Sequence, residues 1–234
     1  MPTLESKSSK FDYSVVRTSR RTIAIHIDPL KGVLVRAPKR ASEKEVRKFL
    51  LQKAPWIMRK LVEVQRRAGE VPHHLYLDGE IFLYRGESFR LRICTDSGIG
   101  RNSVAITGSE IAVSLKPGQN VQEILRKWYI ARARETLNER VKYFSGELDA
   151  EPNKIVIRGQ TKRWGSCSSK GNVNLNWKLV MAQPNILDYV VAHELCHLRF
   201  PNHQAEFWHT LSGVMPDYTD RRAWLKANGH KLVL

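Results

Sequence analysis

Three histidines and a glutamate near the end of the chain have the types and spacing of a hydrolytic metal centre. His193, Glu194 and His197 form an HExxH motif in the run Val190-Val191-Ala192-His193-Glu194-Leu195-Cys196-His197-Leu198. At about 100° per residue, His193 and His197 sit one helical turn apart and about 40° apart around the axis, so both imidazoles can reach one ion. Glu194 falls about 60° beyond His197. It is near enough to take a proton from a water activated by the ion, without itself being a ligand. By composition the motif arises by chance in about one chain in a hundred of this length, so its context has to decide. Here the flanks are apolar, and Leu198-Arg199-Phe200-Pro201-Asn202 supplies a helix end and a turn that can bring His203 back to the same ion. The alternative is two core histidines beside a buried carboxylate, which costs several kcal/mol unless each is hydrogen-bonded.

His209 is the rival third ligand. It lies about 240° around a helix from His203, so only one of the two can face the ion, and the short turn favours His203. Glu206 is placed to orient a ligand or simply to face solvent. Cys196 points to the far side of His193 and reads as a small buried residue.

These side chains need a frame. Tyr13 to Arg36 alternates apolar and polar positions around a turn at Asp28-Pro29-Leu30-Lys31-Gly32, which predicts a hairpin with Ile23, Ile25 and Ile27 on one face. Residues 1–12 are polar and read as loose. Ser42 and Glu45 have capping-box spacing and open a helix to about Arg67, which Pro55 is expected to kink or restart. Strand-like runs follow at Glu80–Tyr84, Ser88–Cys94, Ser103–Ile106 and Glu110–Leu115. Val121 to Gly146 is helical by period. Lys154–Arg158 and Asn172–Val180 read as strands, and helices are expected over Pro184–Arg199, His203–Val214 and Asp217–Asn228, with Gly229 as a stop. No internal repeat is visible. A domain boundary is expected at Lys116-Pro117-Gly118, with a β-rich region carrying a helical insert over 1–117 and a metal-dependent hydrolase domain over 118–234.

Taken together, Arg163-Trp164-Gly165-Ser166-Cys167-Ser168-Ser169, Asn174-Leu175-Asn176, Leu179, Tyr189 to Leu198 and Asn202-His203…Phe207-Trp208 resemble the YgjP-like metallopeptidase family. The similarity to the WLM and SprT-like proteases is more distant. The strong part covers roughly residues 118–234, and the N-terminal part fits the longer members by pattern. The resemblance implies an α+β fold with a zincin-like core, Zn2+ on His193, His197 and His203, Glu194 as general base, and peptidase activity. In zincins a strand near the metal pairs with an extended substrate, and Asn172–Val180, with Asn174 and Asn176, is the candidate here. An ordinary core strand is the alternative. Trp164 and the loop around it are candidates to line the cleft, Arg163 to meet a negative substrate group, and Tyr218 to donate to an oxyanion or merely to pack.

Lys and Arg number 39 against 23 Asp and Glu, a formal net charge of +16. Residues 1–72 hold 17 basic and 7 acidic side chains, so +10 of it lies there. Such a field attracts nucleic acid, nucleotides or acidic substrates, although a solvated basic surface has the same composition. Arg17, Arg20, Arg21, Arg36, Lys39 and Arg40 gather around the predicted hairpin, which makes nucleic acid an expected partner of the N-terminal region. Two rivals to a peptidase acting on a peptide or protein therefore stand. One is a metal-dependent phosphohydrolase of the nucleotide pyrophosphatase type, and the other a nucleic-acid-binding module with structural zinc. Cys94, Cys167 and Cys196 are too few for a disulfide framework. The N-terminus lacks the apolar core of a signal peptide, and no run nears the about 18 apolar residues of a membrane span. A cytoplasmic protein without a membrane partner is the expectation.

Overall fold

Two separate apolar cores organise the chain into compact units, residues 1–71 and residues 72–234. The computed structural model describes residues 2–6, 9–98 and 100–234. In the first unit, strands β1 (Thr3–Ser6), β2 (Ser9–Thr18), β3 (Ala24–Asp28) and β4 (Gly32–Pro38) form a sheet of order β1-β2-β4-β3. The β3–β4 hairpin turns where expected. Asp28 accepts hydrogen bonds from the Leu30 and Lys31 amides, and Gly32 takes a left-handed φ of 71°. β2, however, pairs in parallel with β4 and not with β3.

Helix α1 (Glu43–Glu70) covers this sheet with Val46, Leu50, Ala54 and Ile57, which pack on Leu4, Phe11, Val33 and Val35. The Ser42–Glu45 capping box is present in both directions, an arrangement that contributes about 1 kcal/mol. Pro55 does not restart the helix: α1 runs on through it. The proline sits on the exposed face, so the carbonyl it leaves unpaired can turn to water. Residues 1–12 are also not simply loose. Leu4 and Phe11 are buried and draw β1 into antiparallel pairing with β2, while residues 1, 7 and 8 lie outside the described residues.

The second unit repeats that topology without a sequence repeat to announce it. Strands β5 (Ile81–Tyr84), β6 (Glu87–Thr95), β7 (Ser103–Thr107) and β8 (Glu110–Leu115) have order β5-β6-β8-β7, again with a parallel central pair. A helix of 28 residues, α2 (Val121–Leu148), follows, as α1 follows the first sheet. Tyr129 of α2 donates to the Leu83 carbonyl, and Phe82, Leu91, Ile111 and Val113 share one core with Leu125 and Leu137. This shared core moves the division of the chain from the Lys116-Pro117-Gly118 turn to residues 71 and 72.

A three-stranded sheet of order β10-β11-β9 comes next, from β9 (Lys154–Arg158), β10 (Gly165–Cys167) and β11 (Asn172–Asn176). β11 stops four residues earlier than the alternation suggests. The Asn176 side chain caps a 3-10 turn over Trp177–Met181, whose apolar residues are buried on every side and so cannot alternate. Helices α3 (Pro184–Arg199), α4 (Ala205–Val214) and α5 (Tyr218–Asn228) complete an α+β fold. Arg140 of α2 grips Asp188 of α3 through two hydrogen bonds of 2.6 and 3.0 Å. Among the described residues no helix is long and apolar enough to cross a membrane.

Candidate metal centre

Helix α3 is built to present its histidines. Pro184 starts it, and Ile186, Leu187, Val190, Val191 and Leu195 bury one side in the core. His193 and His197 are left half-buried on the remaining face. The helix ends at Arg199, the chain turns through Pro201 and Asn202, and His203 comes back from the loop before α4. Candidate ligand atoms of His193, His197 and His203 all lie within 4.8 Å of one another.

The orientations suit an ion. His197 Nδ1 lies 3.0 Å from the Phe200 carbonyl, which turns Nε2 inward. His193 Nε2 and His203 Nε2 face each other at 3.0 Å. Two neutral imidazoles repel across such a gap unless a proton or a cation sits between them. Nitrogens sharing one tetrahedral zinc stand about 3.3 Å apart, so the observed spacing fits. Burial, followed by the charges of His197, His203 and Arg222, pushes the His193 pKa down to about 3. Its ring is therefore held in the neutral form that a metal requires. Burial and the same neighbours, His197 and Arg222, lower His203 as well.

Aromatic packing holds His203 in place. His203 stacks on Trp208 at 5.3 Å, Trp208 stacks on Tyr218 at 5.2 Å, and Arg222 lies over Trp208. Fully buried Phe207 underlies all three imidazoles, its ring 4.7 to 5.0 Å from theirs. His209, the rival, is exposed and does not join the cluster, and Glu206 is also exposed. Cys196 is buried in the core.

Glu194 is 7% exposed. Burial raises its pKa to about 7, against the opposing pull of the Arg163 charge and a hydrogen bond from the Cys167 amide. β10 runs directly past it. A side chain at Gly165 would strike the carboxylate, its Cβ falling 2.6 Å from Oε1. The cavity here, about 620 Å³, is lined by His193, Glu194, His203, Arg163, Ser166 and Cys167 among others. Gly165 and Cys167 belong to the loop that the sequence offered as a cleft lining, but it gave neither a role of its own, and β10 is a short strand where a turn was expected.

Other candidates are elsewhere. Asn176 is buried and fully engaged, donating to the Gln160 and Arg163 carbonyls and accepting from the Lys178 amide. It shapes the loop that carries Arg163. Asn174 donates to Ser166, fastening β10 to β11. Trp164 packs against Gly229, and Tyr218 against Trp208. Trp164, Asn174, Asn176 and Tyr218 do not line the cavity; Arg163 does. β11 is the central strand, with both edges taken by β9 and β10, so it cannot be the strand that receives an extended substrate.

No curated protein matches the chain. Among solved structures, it is similar to the metallopeptidase zymogen of Methanocaldococcus jannaschii jannalysin, at 22% identity over 37% of this chain and 84% of that one, with a TM-score of 0.34. The model of the family described as YgjP-like, metallopeptidase domain, matches residues 21–228, most of the chain and all of the histidine cluster. The chain belongs to the YgjP-like metallopeptidase family.

Proposed function

We propose that this metallopeptidase uses zinc held by His193, His197 and His203, with Glu194 as its general base. The observation that carries the reading is a buried carboxylate beside three converging imidazoles in an open cavity. Zinc, when bound, supplies a Lewis acid that polarises the scissile carbonyl and acidifies a water. Glu194 accepts the proton of the attacking water and passes it to the departing nitrogen. A pKa near 7 without an ion suits both transfers, and a neighbouring divalent charge favours the carboxylate that must act first.

The substrate is an extended peptide. Among the described strands only β11 pairs with β10, so apart from the Cys167 amide, which Glu194 engages, the other edge of β10 is open to a peptide backbone beside Glu194. Arg163, at the same cavity, suits a negative side chain of that peptide. A nucleotide-hydrolysing centre would be expected to carry oxygen ligands for magnesium, whereas the cluster is all imidazole. A structural zinc site would be closed by a fourth protein ligand.

The test is zinc content together with hydrolysis of an unfolded protein such as casein. Glu194→Gln should keep its zinc and lose about 100- to 10,000-fold in rate, the usual worth of a positioned general base. Loss of the metal in that variant, or hydrolysis at the unaltered rate, would overturn the role.

A further inference from the structure

The repeated topology places a cavity at the same position in each unit, and the two differ sharply in charge. Because β2 and β4 are parallel, Thr18 and Pro38 end side by side and the chain leaves both at one edge of the sheet. The turns that follow carry Arg20-Arg21 and Lys39-Arg40, and α1 begins close by behind its cap at Ser42. Together they surround a cavity of about 820 Å³ lined by Thr18, Arg20, Arg21, Lys39, Arg40 and Glu45 among others. The frame is braced. Lys39 N donates to Thr18 O at 3.1 Å, Ala41 N donates to Pro38 O at 3.1 Å, and the Arg17 guanidinium donates to the Pro38 and Ala41 carbonyls. Arg17 is therefore spent on structure, unlike the neighbours with which the sequence reading grouped it.

In the second unit the matching cavity, about 400 Å³, lies between the start of β7, the turn that follows β8 and the start of α2. Its polar groups are largely paired, Arg101 being the one charged group there without an ion pair to a described residue. Lys127 pairs with Glu123, and Asn102 bonds to Gln119 and to the Lys116 amide. In the first unit the side chains of Arg20, Arg21, Lys39 and Arg40 form no ion pair or hydrogen bond with any described residue. Glu45, the one carboxylate lining the cavity, is already held by Ser42 N and Oγ. The positive end of the α1 dipole adds to the same field. Four uncompensated cations around one concavity repel one another unless an anion joins them.

We propose that the N-terminal unit binds the phosphodiester backbone of a nucleic acid in this cavity. Three of the four cations are arginines, whose forked donors match phosphate oxygens. The volume takes far more than one phosphate. No exposed large apolar side chain lines it, which disfavours insertion into a lipid surface. No aromatic ring lines it either, so bases do not stack and binding is independent of sequence.

The experiment titrates the zinc-loaded full chain with labelled single-stranded DNA, single-stranded RNA and duplex DNA at several salt concentrations. Binding should weaken as salt rises. In R20A/R21A/K39A/R40A the salt slope for single strands should shrink by about 3, since each phosphate contact contributes about 0.7, and affinity at low salt should fall at least about tenfold. R134A/K142A/K154A/K226A removes the same charge from exposed positions of the second unit and should change affinity by less than about twofold. Casein hydrolysis without nucleic acid should be equal in all three proteins, which separates this site from the metal centre. Should the first variant fail to fold, by circular dichroism, R20Q/R40Q should still lower the slope by about half as much. Equal losses in both quadruple variants would mean diffuse attraction and overturn the proposal. So would tighter binding to polyglutamate or to phosphatidylserine vesicles than to nucleic acid at matched salt.

Discussion

Gly165 and Glu194 stand so close that one added methyl group would not fit between them: a Cβ on Gly165 would lie 2.5 Å from Glu194 Cγ and 2.6 Å from Oε1. The glycine thus sets how deeply the carboxylate reaches under β10, where the Cys167 amide holds it. Its backbone is not in the left-handed region, so alanine is opposed there by contact alone. Gly165→Ala should keep zinc and fold while lowering kcat about a hundredfold, the effect of moving a reacting group by roughly 1 Å. KM should change little. Zinc analysis with steady-state kinetics on a peptide checks it, and an unchanged kcat would remove Gly165 as a positioning residue.

The two candidate third ligands separate cleanly. Losing an outer partner of a metal ligand costs 10- to 100-fold in affinity, so losing a ligand should cost more than about 100-fold. His203→Ala should do so in a competition titration against a chelator. His209→Ala, altering an exposed residue outside the cluster, should leave zinc affinity as it was. The reverse pattern would move the third ligand to α4.

A stability prediction concerns Glu80, far in sequence from the motif. Its carboxylate gathers His74 Nδ1 at 2.8 Å, the Leu75 amide at 3.2 Å and the Leu77 amide at 3.1 Å. Burial pushes its pKa up, but these bonds outweigh burial and leave it below its usual 4.5. A depressed carboxylate stabilises the fold above its unfolded value, and that stability is lost as pH falls through the folded one. Glu80→Gln should therefore unfold about 1 to 3 kcal/mol more easily at pH 7. The gap from the parent protein should close progressively below pH 4.5. Denaturant melts at both pH values give the answer; a gap that widens in acid would show the wrong sign.

What the sequence determined by itself was local. HExxH is legible because both candidate ligands and the proposed base sit within five consecutive residues, so helix geometry alone orients them. His203 follows from a turn of a few residues, and the capping box of α1 from four. Glu80 to Leu115 divides into strands because alternation is also a nearest-neighbour property. Tertiary structure decided the rest wherever a partner arrives from far along the chain. Gly165 meets Glu194 across a sheet-to-helix contact that no spacing encodes. Asn174 and Asn176 look like free polar side chains in sequence, yet β10 and the loop before it consume their hydrogen bonds. Arg17 likewise looks like part of a cationic surface until its donors are found on two backbone carbonyls. The free edge of β10, the division at residues 71 and 72 and the matching cavities of the two units all follow from which strands pair. Strand pairing is settled by burying the two cores, an interaction between residues that the chain itself holds apart.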